Sequence, residues 1–147
     1  MKDEIRMVDI SDKKIQLRTS IAKGSIKLKS TTIKRILSNE IEKGNVLATA
    51  KIAGILAAKQ TPKLIPLCHP IPLTKIEVRV DVKEDRVDVT SIVKAEGKTG
   101  VEIEALVSTA IALITIWDMV KKYEKDERGQ YPETVIENIK VELKMKE

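Results

Sequence analysis

The chain has 147 residues, of which 42% are apolar and 33% are charged. This composition is typical of a globular protein, and the length suits one domain with a buried core. Phenylalanine is absent and only Trp117, Tyr123 and Tyr131 are aromatic, which argues against a protein that binds single-stranded nucleic acid by stacking bases. A single cysteine, Cys68, and a single histidine, His69, exclude an intramolecular disulfide and a zinc site with four Cys and His ligands.

The distribution of hydropathy predicts a cytoplasmic protein without a membrane segment. The first ten residues are charged and lack an apolar stretch, so no signal peptide is expected. The longest apolar run, residues 110–117, is too short to span a bilayer.

Positive charge is concentrated in one part of the chain. Residues 13–63 contain 12 Lys or Arg and only two acidic residues, a net charge of +10, whereas the segments on either side are net negative. Such a block predicts an anionic partner: a phosphorylated small molecule, a nucleic acid or an acidic membrane. The alternative is a lysine-rich surface that only maintains solubility or reflects a thermophilic source.

The chain begins with a segment that shows no periodicity, residues 1–13, which we expect to be an N-terminal arm ahead of a single catalytic domain, residues 14–147. Alternating apolar and polar residues from Ile15 to Ile21 predict a strand. Lys23–Gly24 predicts a turn, after which Ile26–Lys29 would pair back as a hairpin. The half-buried face of the first strand would carry Ile15, Leu17, Thr19 and Ile21.

Two helices are predicted next. Ser30 or Thr31 is a suitable N-cap for the first helix, which residues 43–45 would separate from the second. The second helix is rich in alanine and covers about residues 46–60. It should end at Thr61–Pro62, because a residue that precedes proline disfavours the helical region. The buried face of the first helix would carry Ile33, Ile36 and Leu37.

The remaining elements are strands and one long helix. The proline-rich, mostly apolar residues 64–73 suit neither a helix nor a central strand. Alternation predicts strands at residues 76–82, 87–93 and 139–145, and an apolar stretch predicts a helix at residues 103–123. We therefore expect an α+β, ferredoxin-like fold, in which hairpins form a largely antiparallel sheet and helices pack on one face.

His69 is the first candidate functional residue. It lies between Cys68 and Pro70 in the proline-rich segment, so its ring should be held in place. Histidine titrates near neutral pH and suits proton transfer or phosphate contact. The alternative is a partly buried histidine with a structural role only.

The long predicted helix carries four charged candidates: Glu102, Glu104, Asp118 and Lys121. Asp118 interrupts an apolar run and needs a partner if it is buried, which Lys121, one turn later, could supply. The alternatives are a structural ion pair and an effect of the glutamates on the helix dipole. Along one straight helix, Glu104 and Asp118 would lie about 21 Å apart. A small-molecule site that uses both then needs a second chain or a break in the helix, and we expect it at a subunit interface.

Lysines beside the predicted second helix are further candidates. Lys43 precedes Gly44 at the helix N-terminus, where free backbone N–H groups favour a phosphate. Lys59 lies near the other end of the same helix. The fragment Gly97-Lys-Thr-Gly100 resembles part of a phosphate-binding loop but lacks the P-loop spacing.

Taken together, five segments resemble the successive motifs of one family, the cyclic pyranopterin monophosphate synthases, or accessory protein C of molybdenum cofactor biosynthesis. The segments are Met7–Ser11, Lys43–Gly54, Leu64–Pro70, Gly97–Ala105 and Thr115–Met119. They occur in the family's order over nearly the whole chain, and the proline-flanked Cys-His pair is the most specific of them.

The resemblance implies an enzyme, a phosphorus–oxygen lyase. Its substrate would be a GTP-derived triphosphate, 3′,8-cyclo-7,8-dihydroguanosine 5′-triphosphate, made by a radical enzyme. The reaction would form cyclic pyranopterin monophosphate and release pyrophosphate. The resemblance further implies a ferredoxin-like fold, a cytoplasmic homohexamer built as a trimer of dimers, and sites at the dimer interface.

The resemblance also implies roles for individual positions. The catalytic residues would be Asp118, as acid or base, with Lys121, Lys43 and His69. The substrate-binding residues would be Leu67, Cys68, His69, Glu102, Ile103, Glu104, Arg18 and Lys59. No metal ligand is implied, and whether Mg²⁺ accompanies the triphosphate is left open. The chain departs from the family at Asn45, where an aspartate is common, but asparagine retains the ability to cap a helix.

Two other functions are weighed against this enzyme. A nucleic-acid-binding module would account for the basic block and would bind in a steeply salt-dependent way, but the sequence contains no helix-turn-helix, RNA-recognition or zinc motif. A catalytically silent relative would keep only the scaffold, and the presence of Lys43, His69, Glu104, Asp118 and Lys121 argues against it.

Overall fold

The computed structural model describes residues 4–147, which form a four-stranded sheet with three helices. The strand order is β2-β3-β1-β4, and every neighbouring pair is antiparallel. This confirms the predicted α+β, ferredoxin-like fold. The elements are β1 (Gln16–Lys27), α1 (Ser30–Leu37), α2 (Val46–Leu64), β2 (Leu73–Val82), β3 (Arg86–Gly97), α3 (Glu102–Glu124) and β4 (Val135–Lys146).

The predicted turn at Lys23–Gly24 is wrong, because β1 is one strand of 12 residues. It pairs with β3 along its whole length, from Gln16 opposite Gly97 to Lys27 opposite Arg86. A Cβ atom on Gly24 would lie 2.8 Å from Cδ1 of Leu113 on α3. The glycine therefore permits close packing of a helix on the sheet rather than a chain reversal.

The predicted inward face of β1 is also wrong. Thr19 is buried, but Leu17 is 37% exposed and Ile15, just before the strand, is 67% exposed. Ile21 lies opposite Leu143 of β4. Because β1 is a central strand, it carries apolar residues on both faces, and alternation alone did not identify the face that the helices cover. The side chains that face the core are Ser20, Ala22 and Ile26.

The core lies between one face of the sheet and the helices α2 and α3. These two helices pack on each other, α2 also packs on β2, and α3 packs on β1 and β3. By length and composition, α3 is apolar enough to cross a membrane, and half of its most apolar window is buried inside the protein. Packing on α2 and on the sheet accounts for the buried half of this window. The fully buried core includes Ile26, Val87, Val89, Leu113 and Ile116.

The first two helices differ from the prediction at their ends. Ile33 and Ile36 of α1 are buried as predicted, but Leu37 is 66% exposed. The helix α2 does not end at Thr61; it continues to Leu64 with Pro62 in its last turn. Thr61 is fully buried and its hydroxyl donates to the carbonyl of Ala57. Helical bonding continues past the proline, since the backbone N–H of Ile65 donates to the carbonyl of Thr61.

A buried carboxylate at the end of α3 replaces the predicted cap of α1. Neither Ser30 nor Thr31 is the N-cap; the cap residue is Lys29, which makes no side-chain capping bond. Its backbone N–H instead donates to Oε2 of Glu124, 3.1 Å away. The Thr32 hydroxyl donates to the same oxygen, and the Thr134 hydroxyl donates to Oε1 at 2.7 Å. Glu124 thus joins α3, α1 and the segment before β4.

We predict that Glu124→Ala strongly destabilises the fold. The change leaves three donors, two of them on buried residues, without an acceptor, so the free energy of unfolding should fall by about 3 kcal/mol. Urea unfolding followed by circular dichroism measures this. Glu127→Ala, at an exposed position of the following turn, is the control and should be near neutral. Equal effects of the two changes would contradict the role of Glu124.

Candidate active site

Asp118 lies between two lysines on the protein surface. The ammonium group of Lys43 donates to Oδ2 of Asp118 at 3.0 Å and to its backbone carbonyl at 3.1 Å. Lys121, one turn later on α3, lies 3.3 Å from Oδ1. The Asp118 side chain is 56% exposed, so the three groups form an accessible cluster of charges. The expected pairing of Asp118 with Lys121 is confirmed, although Asp118 is exposed rather than buried.

The loop that carries Lys43 is held against α3 by Tyr123. The hydroxyl oxygen of Tyr123 accepts a hydrogen bond of 2.8 Å from the backbone N–H of Glu42. The Glu42 carboxylate also pairs with Lys122, and the guanidinium of Arg35 lies 4.7 Å from the centre of the Tyr123 ring. These contacts fix the residue next to Lys43, so Tyr123 is a supporting residue that the sequence analysis missed.

The same loop leads directly into α2. Gly44 has a φ of +112°, a backbone conformation that favours glycine. The side chain of Asn45 then accepts a hydrogen bond of 3.0 Å from the backbone N–H of Ala48 and caps the helix. The capping ability expected for Asn45 is therefore confirmed.

The two lysines determine the charge of Asp118. Hydrogen bonds from Lys43, and secondarily from Lys121, lower the pKa of the Asp118 carboxyl below its usual value. At neutral pH the group is therefore a carboxylate, and the two ammonium groups stabilise it in this charged form.

A second cluster lies at the other end of α3, where Glu104 meets the proline-rich segment. The thiol of Cys68 lies 3.7 Å from Oε2 of Glu104. Glu104 is only 2% exposed, and its Oε1 has no hydrogen-bond partner in the described chain. Burial raises the pKa of the Glu104 carboxyl. Burial, together with the nearby Glu104, also raises the pKa of the Cys68 thiol to about 11.

The other predicted substrate-binding residues lie on α2, on β1 and at the start of α3. Glu102 pairs with Lys144 of β4 at 3.3 Å, and the next residue, Ile103, is half-buried. Lys59 and Glu104 line one pocket of about 240 Å³. Arg18 is only 7% exposed, and its Nε donates to the carbonyl of Gly97 at 3.2 Å.

His69 and Leu67 lie on the outer side of the proline-rich segment. Leu67 is 44% exposed and His69 is half-buried. The His69 ring is anchored at Nε2, which lies 2.6 Å from the backbone carbonyl oxygen of Val8. The expectation that the ring is held in place is confirmed, although the partner is a residue of the N-terminal segment rather than a neighbouring proline.

The structure does not bring the two clusters together within one chain. Glu104 and Asp118 both belong to α3, a single helix from Glu102 to Glu124, so helix geometry places them about 21 Å apart. Within residues 4–147, no three His, Cys, Asp or Glu side chains come together as a metal-binding group.

Comparison with known proteins identifies the family. A sequence profile of the MoaC family matches residues 7–146. The chain belongs to the MoaC family. It is 59% identical to a protein of Saccharolobus solfataricus, a match over all of this chain and 99% of the relative. It is 61% identical to one of Sulfolobus acidocaldarius, over 95% of this chain and 98% of the relative. A Pyrococcus horikoshii protein is 58% identical, over 97% and 89% respectively.

Each of these three relatives is named a probable cyclic pyranopterin monophosphate synthase. The family expected from the motifs is therefore confirmed. Two of the MoaC-like segments contribute to the Asp118 cluster, namely Lys43–Gly54 and Thr115–Met119. Two others contribute to the Glu104 cluster, namely Leu64–Pro70 and Gly97–Ala105. The first segment, Met7–Ser11, lies beside His69.

We predict that Lys43→Met raises the pKa of Asp118 more than Lys121→Met does, because Lys43 makes the larger contribution to the low value. Carbon-13 NMR of the aspartate carboxyl carbons, with Asp118→Asn to assign the signal, measures both shifts. Lys83→Met, which removes an exposed lysine, is the control. An unchanged pKa in both variants would show that the Asp118 cluster does not form in solution.

We predict that Glu104→Gln stabilises the protein increasingly as the pH rises. Because the folded-state pKa of Glu104 is raised, the wild type loses stability as the pH rises from the unfolded-state pKa to the folded-state pKa, whereas the variant does not titrate there. Below the unfolded-state pKa the two proteins should be equally stable. Melting temperatures between about pH 4 and pH 8 measure the difference, with the exposed Glu127→Gln as control. A difference that shrinks with rising pH would contradict the burial of a carboxylate.

Proposed function

We propose that the chain is a cyclic pyranopterin monophosphate synthase that acts in molybdenum cofactor biosynthesis in the cytoplasm. It would convert 3′,8-cyclo-7,8-dihydroguanosine 5′-triphosphate into cyclic pyranopterin monophosphate and pyrophosphate. The family match and the shared name of the relatives support the activity. The observation that carries the chemical argument is the carboxylate of Asp118 between the ammonium groups of Lys43 and Lys121, at 3.0 and 3.3 Å.

This cluster suits the formation of a cyclic phosphate. In that step a hydroxyl of the substrate attacks the α-phosphorus, a new P–O bond forms, and the bond from the α-phosphorus to the bridging oxygen of pyrophosphate breaks. The attacking hydroxyl must lose a proton, which the Asp118 carboxylate can accept. The leaving pyrophosphate gains negative charge, which Lys43 and Lys121 can neutralise.

The second cluster suits the rearrangement of the ring system, in which protons move between carbon, nitrogen and oxygen. Glu104 is buried and holds its proton to a higher pH than an ordinary carboxyl does. It can therefore donate a proton at pH values at which the Asp118 carboxyl is already ionised. His69, the residue after Cys68, carries an imidazole ring that can exchange protons. Lys59, which shares the pocket of Glu104, provides a cation for the triphosphate.

Within one chain the two clusters lie about 21 Å apart. We therefore propose that the complete site forms between two subunits of a homohexamer, a trimer of dimers. Exposed apolar side chains support self-association. On the sheet they are Leu17, Leu143 and Met145, between 37% and 44% exposed. On α2 and α3 they are Ile52, Leu56 and Ile114, between 52% and 60% exposed.

We predict that Asp118→Asn abolishes turnover and keeps the oligomer intact, because the amide can no longer accept the proton. The assay supplies the purified protein with the enzymatically made triphosphate and measures pyrophosphate and the cyclic product. Lys43→Ala should reduce the rate far more than Lys83→Ala, the matched change at an exposed lysine. Turnover of the Asp118→Asn protein at the wild-type rate would remove Asp118 from the mechanism.

We predict that two inactive variants restore activity to each other when they are coexpressed and form mixed oligomers. If each site takes Asp118 from one chain and Glu104 from its partner, an oligomer of Asp118→Asn and Glu104→Gln chains contains some sites with neither change. Random pairing in an isologous dimer leaves about one quarter of the sites intact.

The control for this experiment is the coexpression of Asp118→Asn with Lys43→Ala. Lys43 contacts Asp118 of its own chain, so the two changes affect the same half of the site and every site keeps one of them. That mixture should remain inactive. If both mixtures stay inactive although each variant is folded and oligomeric, the site does not combine these residues from two chains.

A further inference from the structure

The N-terminal segment before β1 contacts the only histidine of the chain. The backbone carbonyl oxygen of Val8 lies 2.6 Å from Nε2 of His69. A carbonyl oxygen can only accept a hydrogen bond, so Nε2 must carry the hydrogen. We propose that this segment, residues 7–11, is a positioning element that holds neutral His69 as the Nε2–H tautomer. The ring then offers only the lone pair of Nδ1 to other groups.

The segment has a fixed shape immediately after Val8. Oδ1 of Asp9 accepts hydrogen bonds from both the backbone N–H of Ser11, at 2.8 Å, and the Ser11 hydroxyl. The backbone N–H of Lys13 donates to the carbonyl of Ile10 at 3.0 Å. These bonds define a turn whose first residue, Asp9, shares a peptide plane with the Val8 carbonyl.

The turn is also tied to the body of the protein. The ammonium group of Lys98, in the connection between β3 and α3, donates to the backbone carbonyl of Ser11 at 3.0 Å. Residues 7–11, His69 and Lys98 together line a cleft of about 400 Å³. The histidine is therefore held from two directions: its own backbone is restricted by Pro70, and its Nε2 is held by the N-terminal turn.

This arrangement determines what His69 can do chemically. In the neutral state its Nε2–H is already donated to Val8, so toward a substrate the ring is an acceptor of a hydrogen bond or of a proton through Nδ1. A phosphate oxygen, which is itself an acceptor, can bind Nδ1 only after the ring is protonated. The consequence for catalysis rests on the proposed function, but the assignment of the tautomer does not.

The single histidine makes the tautomer directly measurable. Nitrogen-15 NMR of the full-length, labelled protein without substrate shows one imidazole ring, in which protonated and unprotonated nitrogens differ clearly in chemical shift. We expect Nε2 to be protonated and Nδ1 unprotonated when the ring is neutral.

Two changes test whether the N-terminal turn is responsible. Asp9→Ala removes the acceptor that closes the turn, and Lys98→Met removes the bond that ties the turn to the protein. In the double variant the ratio of Nε2–H to Nδ1–H tautomer should fall by about 3- to 10-fold, the effect of one ordinary hydrogen bond. Asp9→Asn keeps a side-chain oxygen at the same place. In a protein that retains Lys98, this change should leave the tautomer ratio at the wild-type value. Asp12→Ala is the control, because it removes the same charge from an exposed residue that directly follows the segment.

The outcomes separate the two proposals. A neutral ring in the wild type that carries its hydrogen on Nδ1, or a tautomer ratio that the double variant leaves unchanged, overturns the assignment. The expected NMR result together with an inactive wild-type enzyme leaves the assignment in place and overturns the proposed function. If the tautomer assignment and the proposed function both hold, kcat/KM for the triphosphate should fall in the Asp9→Ala enzyme. It should stay near the wild-type value in the Asp12→Ala and Asp9→Asn enzymes.

Discussion

The continuity of α3 is the constraint on which the rest of the structure depends. Its 23 residues run without a break from Glu102 to Glu124, and its buried side supplies Leu113 and Ile116 to the core. The last residue, Glu124, accepts hydrogen bonds from α1 and from the segment before β4. A helix packed in this way cannot bend to bring its ends together, so its two functional ends stay about 21 Å apart. The division of the candidate site into two clusters follows from this one element.

The two clusters have opposite electrostatic environments. Asp118 is exposed and receives two ammonium groups, which lower the pKa of its carboxyl. Glu104 is buried and its Oε1 has no partner in the described chain, and burial raises the pKa of its carboxyl. Two carboxyl groups that titrate in different ranges can act as base and acid in one reaction. The Asp118 cluster therefore offers a carboxylate and the Glu104 cluster a carboxyl that keeps its proton to higher pH. A site that joins the clusters across two subunits would contain both groups.

Support for the charged residues comes from parts of the chain that carry no charge pattern of their own. The hydroxyl of Tyr123 holds the loop next to Lys43, and the backbone carbonyl of Val8 holds His69. Neither contact can be read from the sequence, because each joins residues more than 60 positions apart. The motif Met7–Ser11 is part of the family pattern, and the tertiary structure places it beside His69.

Local chemistry was sufficient to predict the element types, the cap at Asn45, the pair Asp118–Lys121 and the separation of Glu104 from Asp118, because each depends on helix geometry or on residues a few positions apart. The tertiary structure decided the rest. Gly24 marks close packing rather than a turn, since Leu113 of α3 lies against it. The helix-facing side of β1 carries Ser20, Ala22 and Ile26, because a central strand has two covered or partly covered faces and alternation does not distinguish them. The burial that raises the pKa of Glu104 is likewise a property of packing, which no spacing along the chain encodes by itself.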